Sequence, residues 1–511
     1  MQPSFWSLVP FLLVIPMAML TRQVLPGLVV GLIAGAYMMI PDPLGGLEAA
    51  IDYLLRELAS PDNLRLLVFL YGFGSFVGLV RVTGGVSGFA RWMNRTVRSA
   101  RGAFGLTWLS SAGTFMAPDF RIITIGPVMK KVFQRFNVPT WKVAFVIDAT
   151  STPLIALIPI GTAFVGYMVG LINDSAGHQG LPMPAYKLLL ASLPFNFFSI
   201  LMLIYALYRS FFTGKVEADD ADKNDCPPGI RTPFRTSPQV AYLEEACKPD
   251  RQKRKAKEKS SGDGSEHEAD SDFPDPVEKV SESATPRAIH LILPILVLVG
   301  LTFLFTWLDG IQHASSPLGA LAEADASKAM LWAVLVTLVL SIIWYRLRGQ
   351  PLQRLLFGFL QGGNEMMGVN VLLALVWALT AVSEDLGFIQ YTKQLIGDSI
   401  PPLWVAPIIF LLGCLISYVI GSSFGAWAIL MPLGFSIASG TETPLPLVAG
   451  AVFASGSFGG FASPLSDNTV AMATMMKLPL MKYAHRKLKA SVFVVIASAV
   501  LYAVAGWLLG S

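Results

Sequence analysis

Residues 103–129 read AFGLTWLSSAGTFMAPDFRIITIGPVM, an apolar stretch whose only charges are Asp119 and Arg121. Upstream stand Arg81, Arg91, Arg95, Arg98 and Arg101, and downstream Lys130, Lys131 and Arg135, with no acidic residue in either flank. Short loops rich in Lys and Arg stay on the cytoplasmic side of a membrane, so both ends of this stretch belong there. At about 1.5 Å of rise per residue, 27 residues cannot cross a hydrocarbon core of about 30 Å twice. The segment is therefore expected to enter, turn near Ala117-Pro118 and return as a re-entrant hairpin.

The rest of the chain supports a bilayer setting. Its 511 residues are 53% hydrophobic and 14% charged, against about 45–50% and about 25% in soluble proteins. Of 38 basic and 34 acidic side chains, 30 fall between Gly214 and Arg287, leaving 42 for the other 437 positions. An ordinary cytosolic enzyme is excluded. The net charge of +4 is small and its basic residues are split among short loops, which argues against a nucleic-acid face. Cys226, Cys247 and Cys414 have no metal-type spacing, so neither a zinc site nor a disulfide framework is inferred. Phe5 to Leu20 lacks a basic start and a cleavage site and is expected to stay in the membrane.

Spanning helices need about 20 apolar residues, and candidates fall at 5–21, 24–41, 64–80, 143–172, 187–210, 288–308, 326–345, 364–384, 445–476 and 489–510. A second hairpin candidate, 402–438, lies in a region with no Lys or Arg from Gln394 through Met476 and should dip in from the opposite face. Each half then holds five spans and one hairpin, and an odd number of crossings turns the second copy upside down. The fold class expected is an all-α polytopic membrane protein of two inverted-topology repeats, residues 1–213 and 288–511, with helices broken at the midplane. Thr83-Gly84-Gly85 with Phe89 echoes Asp385-Leu386-Gly387 with Phe388, and Ile125-Gly126-Pro127 echoes Leu430-Met431-Pro432. The insert 214–287 carries a basic block, Arg251 to Lys259, and an acidic one, Asp263 to Asp275. It cannot bury enough apolar surface to fold alone and is expected to be a disordered cytoplasmic linker.

Ionisable groups inside a membrane are costly and mark function by default. Asp148 lies in Asp148-Ala149-Thr150-Ser151-Thr152-Pro153, where Pro153 removes a backbone donor and frees carbonyls one turn earlier. A carboxylate, three hydroxyls and freed carbonyls form a hard oxygen set for sodium or proton exchange. The second half offers Ser463-Pro464-Leu465-Ser466-Asp467-Asn468-Thr469 after Gly456, Gly459 and Gly460. Cation or substrate oxygen donors are thus Thr150, Ser151, Thr152, Ser463, Ser466, Asn468 and Thr469, with sodium at Asp148 and Asp467 and coupling extended to Asp119. At the hairpin tips, Gly421-Ser422-Ser423-Phe424-Gly425 permits a tight turn. Arg121 either neutralises Asp119 or Asp148, or grips a carboxylate substrate. Glu365 reads as a charge at a helix start.

Gly421 to Gly425 also matches G-x-S-x-G, but no strand precedes it and no histidine falls deep in a span, so a serine hydrolase is set aside. An intramembrane aspartyl protease needs a shared-proton acid pair in a context that is missing here.

Thr107-Trp108-Leu109 through Pro127, Val146 through Pro153 and Ile158-Pro159-Ile160-Gly161-Thr162 resemble the first half of NhaC-type sodium/proton antiporters. Gly421 to Gly425 with Ala428 to Pro432, and Ser463 to Thr469, resemble the second. The resemblance implies two inverted repeats with paired hairpins, alternating access, and Asp148 and Asp467 on matching family acids. Two departures stand out. Ala117-Pro118-Asp119-Phe120-Arg121 occupies the place of an acidic pair followed by Tyr-Ala-Asn, and Phe461-Ala462 the place of Asp-His.

The expected function is a sodium/proton antiporter of the cell (inner) membrane, not an enzyme, in which sodium and protons compete at Asp148 and Asp467. The alternative is a sodium-coupled amino-acid or carboxylate carrier that uses Arg121. A membrane sensor or scaffold would leave the intramembrane acids without a role. No cofactor is expected beyond sodium and protons as transported species. Partners are the bilayer, small ions or a small organic anion or amino acid, and a second copy of the chain.

Overall fold

The computed structural model describes residues 5–21, 23–85, 88–89, 97, 99–115, 117–136, 138–159, 162–177, 184–212, 286–311, 324–388, 390–391, 401–441 and 443–509. The linker expected at 214–287 lies, through residue 285, outside the described residues.

The described chain is helical throughout. A 3-10 turn at Phe5–Leu8 leads into α1 (Val9–Thr21), α2 (Val24–Met39), α3 (Pro43–Leu58) and α4 (Pro61–Val82). The first hairpin follows as α5 (Ala100–Leu109), α6 (Ser111–Thr114) and α7 (Pro118–Gln134). Next come α8 (Thr140–Ala149), α9 (Thr152–Ile155), α10 (Ala163–Gly177), α11 (Ala185–Ser192) and α12 (Phe197–Phe211). The second half holds α13 (Ile289–Gly310), α14 (Ala326–Leu347), α15 (Leu352–Glu365) and α16 (Met367–Asp385). It ends in α17 (Pro402–Ile420), α18 (Ser423–Thr441), α19 (Leu445–Ala462), α20 (Asp467–Met476) and α21 (Leu480–Leu509). Among the described residues eight helical segments are long and apolar enough to cross a membrane, or nine if a pair bent by 47° at Asn196 is one span.

Both hairpins form where the sequence places them. Ala117 is extended (φ −149°, ψ 144°) and Pro118 opens α7, where its missing N–H breaks no helical bond. The arms run antiparallel, with Phe104 on Phe133 at 4.4 Å between ring centroids. In the second hairpin Gly421 takes φ +78°, and residues equidistant from the turn meet: Leu430 packs at Gly413 and Ile409 at Gly434. Each arm has 19 residues and is itself long and apolar enough to cross a membrane, so the two arms are two of the eight candidate spans.

The Gly421 tip presses on the interruption between α19 and α20: a Cβ there would stand 2.6 Å from the Leu465 carbonyl carbon. Gly421→Ala is expected to destabilise the protein by about 1–2 kcal/mol for the left-handed backbone alone, with the Leu465 contact adding to it. An unchanged thermal unfolding midpoint in detergent would show that the tip is not pressed there.

Three expected boundaries need correction, and one helix was not expected. The apolar stretch 143–172 is not one span but three helical pieces, α8, α9 and α10. The span expected from 364 is the second part of a longer helical segment, 352–385, so Glu365 ends α15 instead of starting a helix. It pairs with Arg81 at 2.8 Å. The last span begins at Leu480, nine residues earlier than hydropathy placed it, which brings Lys482, Arg486 and Lys487 into the helix. Finally, α3 is an amphipathic helix missing from the sequence reading. Tyr53 on it donates to Asp385 at 2.6 Å, and burial together with that carboxylate holds the phenol well above its ordinary pKa.

Candidate functional site

Two helix interruptions carry the polar groups singled out above. At the first, α8 ends at Ala149, Ser151 takes φ −97° and ψ −95°, and Pro153 sits in the first turn of α9. The hydroxyls bond back along the helix, Thr150 to the Val146 carbonyl and Ser151 to that of Ile147, each at 2.7 Å. At the second, α19 ends at Ala462 and α20 restarts at Asp467. Ser463 donates to the Tyr418 carbonyl and Ser466 to that of Gly460, each at 2.7 Å. Gly456, Gly459 and Gly460 let Trp427, Ser417 and Ser423 approach α19 where a Cβ would collide.

The interruptions meet. Asn468 donates to the Thr152 hydroxyl at 2.8 Å. Lys487 donates to Asp148 Oδ2 at 2.7 Å and to the Thr469 hydroxyl at 2.8 Å, and Tyr483 donates to the same Asp148 oxygen at 2.6 Å. The Asp148 and Lys487 side chains are 2% and 0% exposed. Removing two charges from water is tolerated only with close pairing and further hydrogen bonds, which Tyr483 and Thr469 supply. Phe461 and Tyr483 flank the ammonium at 5.0 and 4.8 Å from their ring centroids, close enough for cation–π attraction. Asp148 Oδ1 and Asn468 Oδ1 are buried acceptors without a hydrogen-bond partner, one in each interruption.

Lys487 was not among the sequence candidates, and it displaces Arg121 from the role of partner to Asp148. The Arg121 guanidinium is completely buried. One terminal nitrogen donates to Ser110 (3.2 Å) and Thr114 (2.8 Å), the other to the Thr107 carbonyl (2.9 Å) and the Thr150 hydroxyl (2.8 Å). All four terminal N–H groups are thus used by neutral oxygens, and only Nε lacks a partner. An end-on bidentate grip on a carboxylate would require breaking two of these bonds, and a side-on grip through the free Nε would require breaking one. In this state Arg121 pins the first hairpin to the α8–α9 interruption. The Asp119 side chain lies outside the described residues.

Asp467 is exposed in the first turn of α20, where the helix dipole favours a carboxylate. It makes no hydrogen bond or ion pair among the described residues, so it is not a hydrogen-bonded cap. Lys130 on α7 donates to the Met476 carbonyl at the other end of α20, at 2.8 Å. At the second tip Ser423 donates to the Gly456 carbonyl at 2.9 Å, and the Gly425 N–H to Ser422 at 3.2 Å. The structure therefore gathers Asp148 and Thr469 on Lys487, joins Thr152 to Asn468, ties Thr150 to Arg121, and leaves Ser151, Ser463 and Ser466 bonded to helix carbonyls.

The profile described as the Na+/H+ antiporter family matches residues 162–507, about two thirds of the chain. The chain belongs to the Na+/H+ antiporter family. The matched region holds Asp467, Thr469, Tyr483 and Lys487, while Asp148 and Arg121 precede it. Among other proteins, an uncharacterised protein of Haemophilus influenzae is 24% identical over 99% of this chain and 91% of its own length. Two relatives match over shorter stretches. The malate-2H+/Na+-lactate antiporter of Bacillus subtilis is 34% identical over 21% of this chain and 24% of its own, and the arginine/ornithine antiporter ArcD of Halobacterium salinarum 28% over 36% and 37%. The Alcanivorax borkumensis YdaH transporter has the same fold at TM-score 0.58 and 14% identity, covering 90% of this chain and 88% of that one. Neisseria gonorrhoeae MtrF, of a class of antimetabolite efflux pumps, follows at 0.57 and 13%, covering 90% and 84%. This member of the Na+/H+ antiporter family is a multi-pass membrane protein and a secondary transporter.

Proposed function

We propose that this transporter exchanges sodium for protons by alternating access, with Asp148 as the shared binding group and Lys487 as a resident cation that the arriving ion must displace. The observation that carries the reading is the buried Asp148–Lys487 pair, which joins the broken helix of one half to the last helix of the other. Asp148 Oδ1 has no hydrogen-bond partner, so the carboxylate has an oxygen left for an incoming ion. A sodium ion arriving there leaves the buried pair with one positive charge in excess. Departure of a proton from the pocket removes that excess, which couples one species in to the other out. Release of Lys487 also frees Thr469, so ion binding at α8 is felt by α20. In this reading Asp467, exposed at the start of α20, hands the ion to this pocket. The matched order of hairpins and interruptions, and the positive-φ glycines Gly84 and Gly387 that follow α4 and α16, support two repeats of opposite orientation.

The names of the two partial relatives keep organic ions in view as cargo. Arg121 favours the inorganic reading, because four of its five N–H donors are already held by neutral oxygens.

Purified protein in liposomes, with an internal pH dye, tests the proposal against sodium, lithium and potassium gradients and a panel of amino and organic acids. Sodium-driven proton movement is expected, lowered by Asp467→Asn. Full movement in both Asp148→Asn and Asp467→Asn would remove the proposal, and uptake of an organic acid without proton movement under a sodium gradient would replace it with the carrier.

A further inference from the structure

The first hairpin holds both helix interruptions. Near its tip Arg121 donates to the Thr150 hydroxyl, in the interruption between α8 and α9, at 2.8 Å. About 13 Å further along α7, Lys130 donates to the carbonyl of Met476, the last residue of α20, at 2.8 Å. Between these contacts α7 packs along α20, and a Cβ on Gly126 would lie 3.7 Å from that of Met475.

The position of α20 matters because its first turn carries two groups of the ion pocket. Asn468 donates to Thr152, and Thr469 accepts from Lys487, each at 2.8 Å. Asp467 to Met476 include neither glycine nor proline, so the helix shifts as one piece. No side chain caps its first N–H groups. At its end the chain leaves through Lys477 at φ +54°, a left-handed conformation that costs any residue but glycine. The Lys477 N–H bonds to the Ala473 and Thr474 carbonyls and the Leu478 N–H to that of Ala473, while the Met476 carbonyl is met by Lys130. An ammonium there also faces the negative end of the helix dipole.

We infer that Lys130 is a positioning residue for the ion pocket: through α20 it sets where Asn468 and Thr469 stand relative to Asp148 and Lys487. Together with Arg121 it makes the first hairpin the part that keeps the two interruptions in register. Met476 lies about 12 Å along the helix from Asn468, so Lys130 acts through the position of α20 and not on the ion. The transport consequence rests on the exchange proposed at Asp148. Pocket hydrogen bonds of 2.6 to 2.8 Å leave little tolerance, and a displacement of about 1 Å is enough to disable a site. Molecules with α20 out of register do not bind the ion, and the apparent sodium affinity falls with the fraction in register.

Two measurements on the purified full-length protein decide the matter. The first is a double-variant cycle on unfolding midpoints in detergent, pairing Lys130→Met with Asn468→Ala. Residues this far apart normally act additively. Here the double variant is expected to lose clearly less than the sum of the single losses, because α20 released at one end no longer holds the other. Additive losses would overturn the inference, whether or not the protein moves sodium. Lys130→Gln takes the place of Lys130→Met if the latter yields no folded protein. The second measurement is sodium-driven proton flux in liposomes. A hydrogen bond from a charged donor is worth roughly tenfold in an equilibrium and less where water competes, so Lys130→Met is expected to raise the half-saturating sodium concentration about three- to tenfold and to keep the maximal rate per folded protein. Lys130→Arg should restore the parent value. A lower maximal rate with an unmoved half-saturating concentration would mean that Lys130 serves folding alone, and the inference would fall. No sodium-driven flux in the parent would remove the proposed exchange instead, and the cycle would still decide the role of Lys130.

Discussion

Lys487→Met is expected to cost the folded protein about 3–5 kcal/mol, the range for breaking a buried ion pair from one side. The substitution leaves the Asp148 carboxylate 2% exposed, with Tyr483 as its remaining donor and Oδ1 already unpartnered. Asp148→Asn is the mirror case, because it strands the ammonium on Thr469 and two aromatic rings. The double variant Asp148→Asn/Lys487→Met carries neither charge. It should recover most of the loss, since replacing both members of a buried pair by neutral groups of similar size is often close to neutral. The cycle is therefore expected to be strongly non-additive, as for residues in direct contact. Unfolding midpoints of the purified protein in detergent supply the stability arm, and sodium-driven proton flux in liposomes supplies the transport arm. Under the proposed exchange the double variant should be stable and inactive together. Additive losses, or a Lys487→Met protein that unfolds with the parent, would mean that the pair does not hold the two interruptions.

Much of the architecture could be read from local chemistry, because proline, glycine and charge punctuate the chain where it turns. Pro118 marks the first tip, Gly421 the second, and Pro153 and the Ser463–Ser466 segment mark the interruptions. Lys487 escaped for the opposite reason. A hydropathy window discards a charged flank, and the partner of this lysine lies 339 residues away. A signal was nevertheless there: Tyr483, Lys487, Ser491, Val494, Ser498 and Tyr502 recur every three or four residues along the buried face of α21. Lys482 and Lys489 fall off that stripe and are exposed. Arg121 was legible as an intramembrane charge, but not its partners, since four neutral oxygens on α5, α6, the residue between them and the α8–α9 interruption leave no common sequence pattern. The amphipathic α3 was missed because a search for long apolar runs passes over a helix with charges at Glu48, Asp52 and Arg56.

Gly78→Leu is expected to yield no folded protein. Where α4 crosses α15, Gly74 and Gly78 on one helix face Gly358 and Gly362 on the other, and the backbones touch. A Cβ on Gly78 would collide with the Gly358 carbonyl oxygen and would stand 2.9 Å from the Gly362 Cα. Both obstacles are backbone, so no side chain can rotate away and the helices themselves must separate. In lipid, association between helices rests on such close packing, because the surrounding acyl chains are as apolar as the helix surfaces. Gly78→Ala should cost about 1–3 kcal/mol, as overpacking does, and Gly78→Leu more than about 4 kcal/mol, beyond what most single substitutions cause. Gly300→Ala is the control, since a Cβ there meets nothing within 4 Å. It should be neutral or slightly stabilising through helix propensity. The neighbouring Arg81–Glu365 pair cannot substitute for the glycines. Its carboxylate is 40% exposed, and a partly solvated ion pair contributes at most about 1 kcal/mol. Arg81→Ala should accordingly unfold within a few degrees of the parent. A Gly78→Leu protein that is purified in normal yield and unfolds near the parent would mean that α4 and α15 can part without loss, and that the two halves are joined elsewhere.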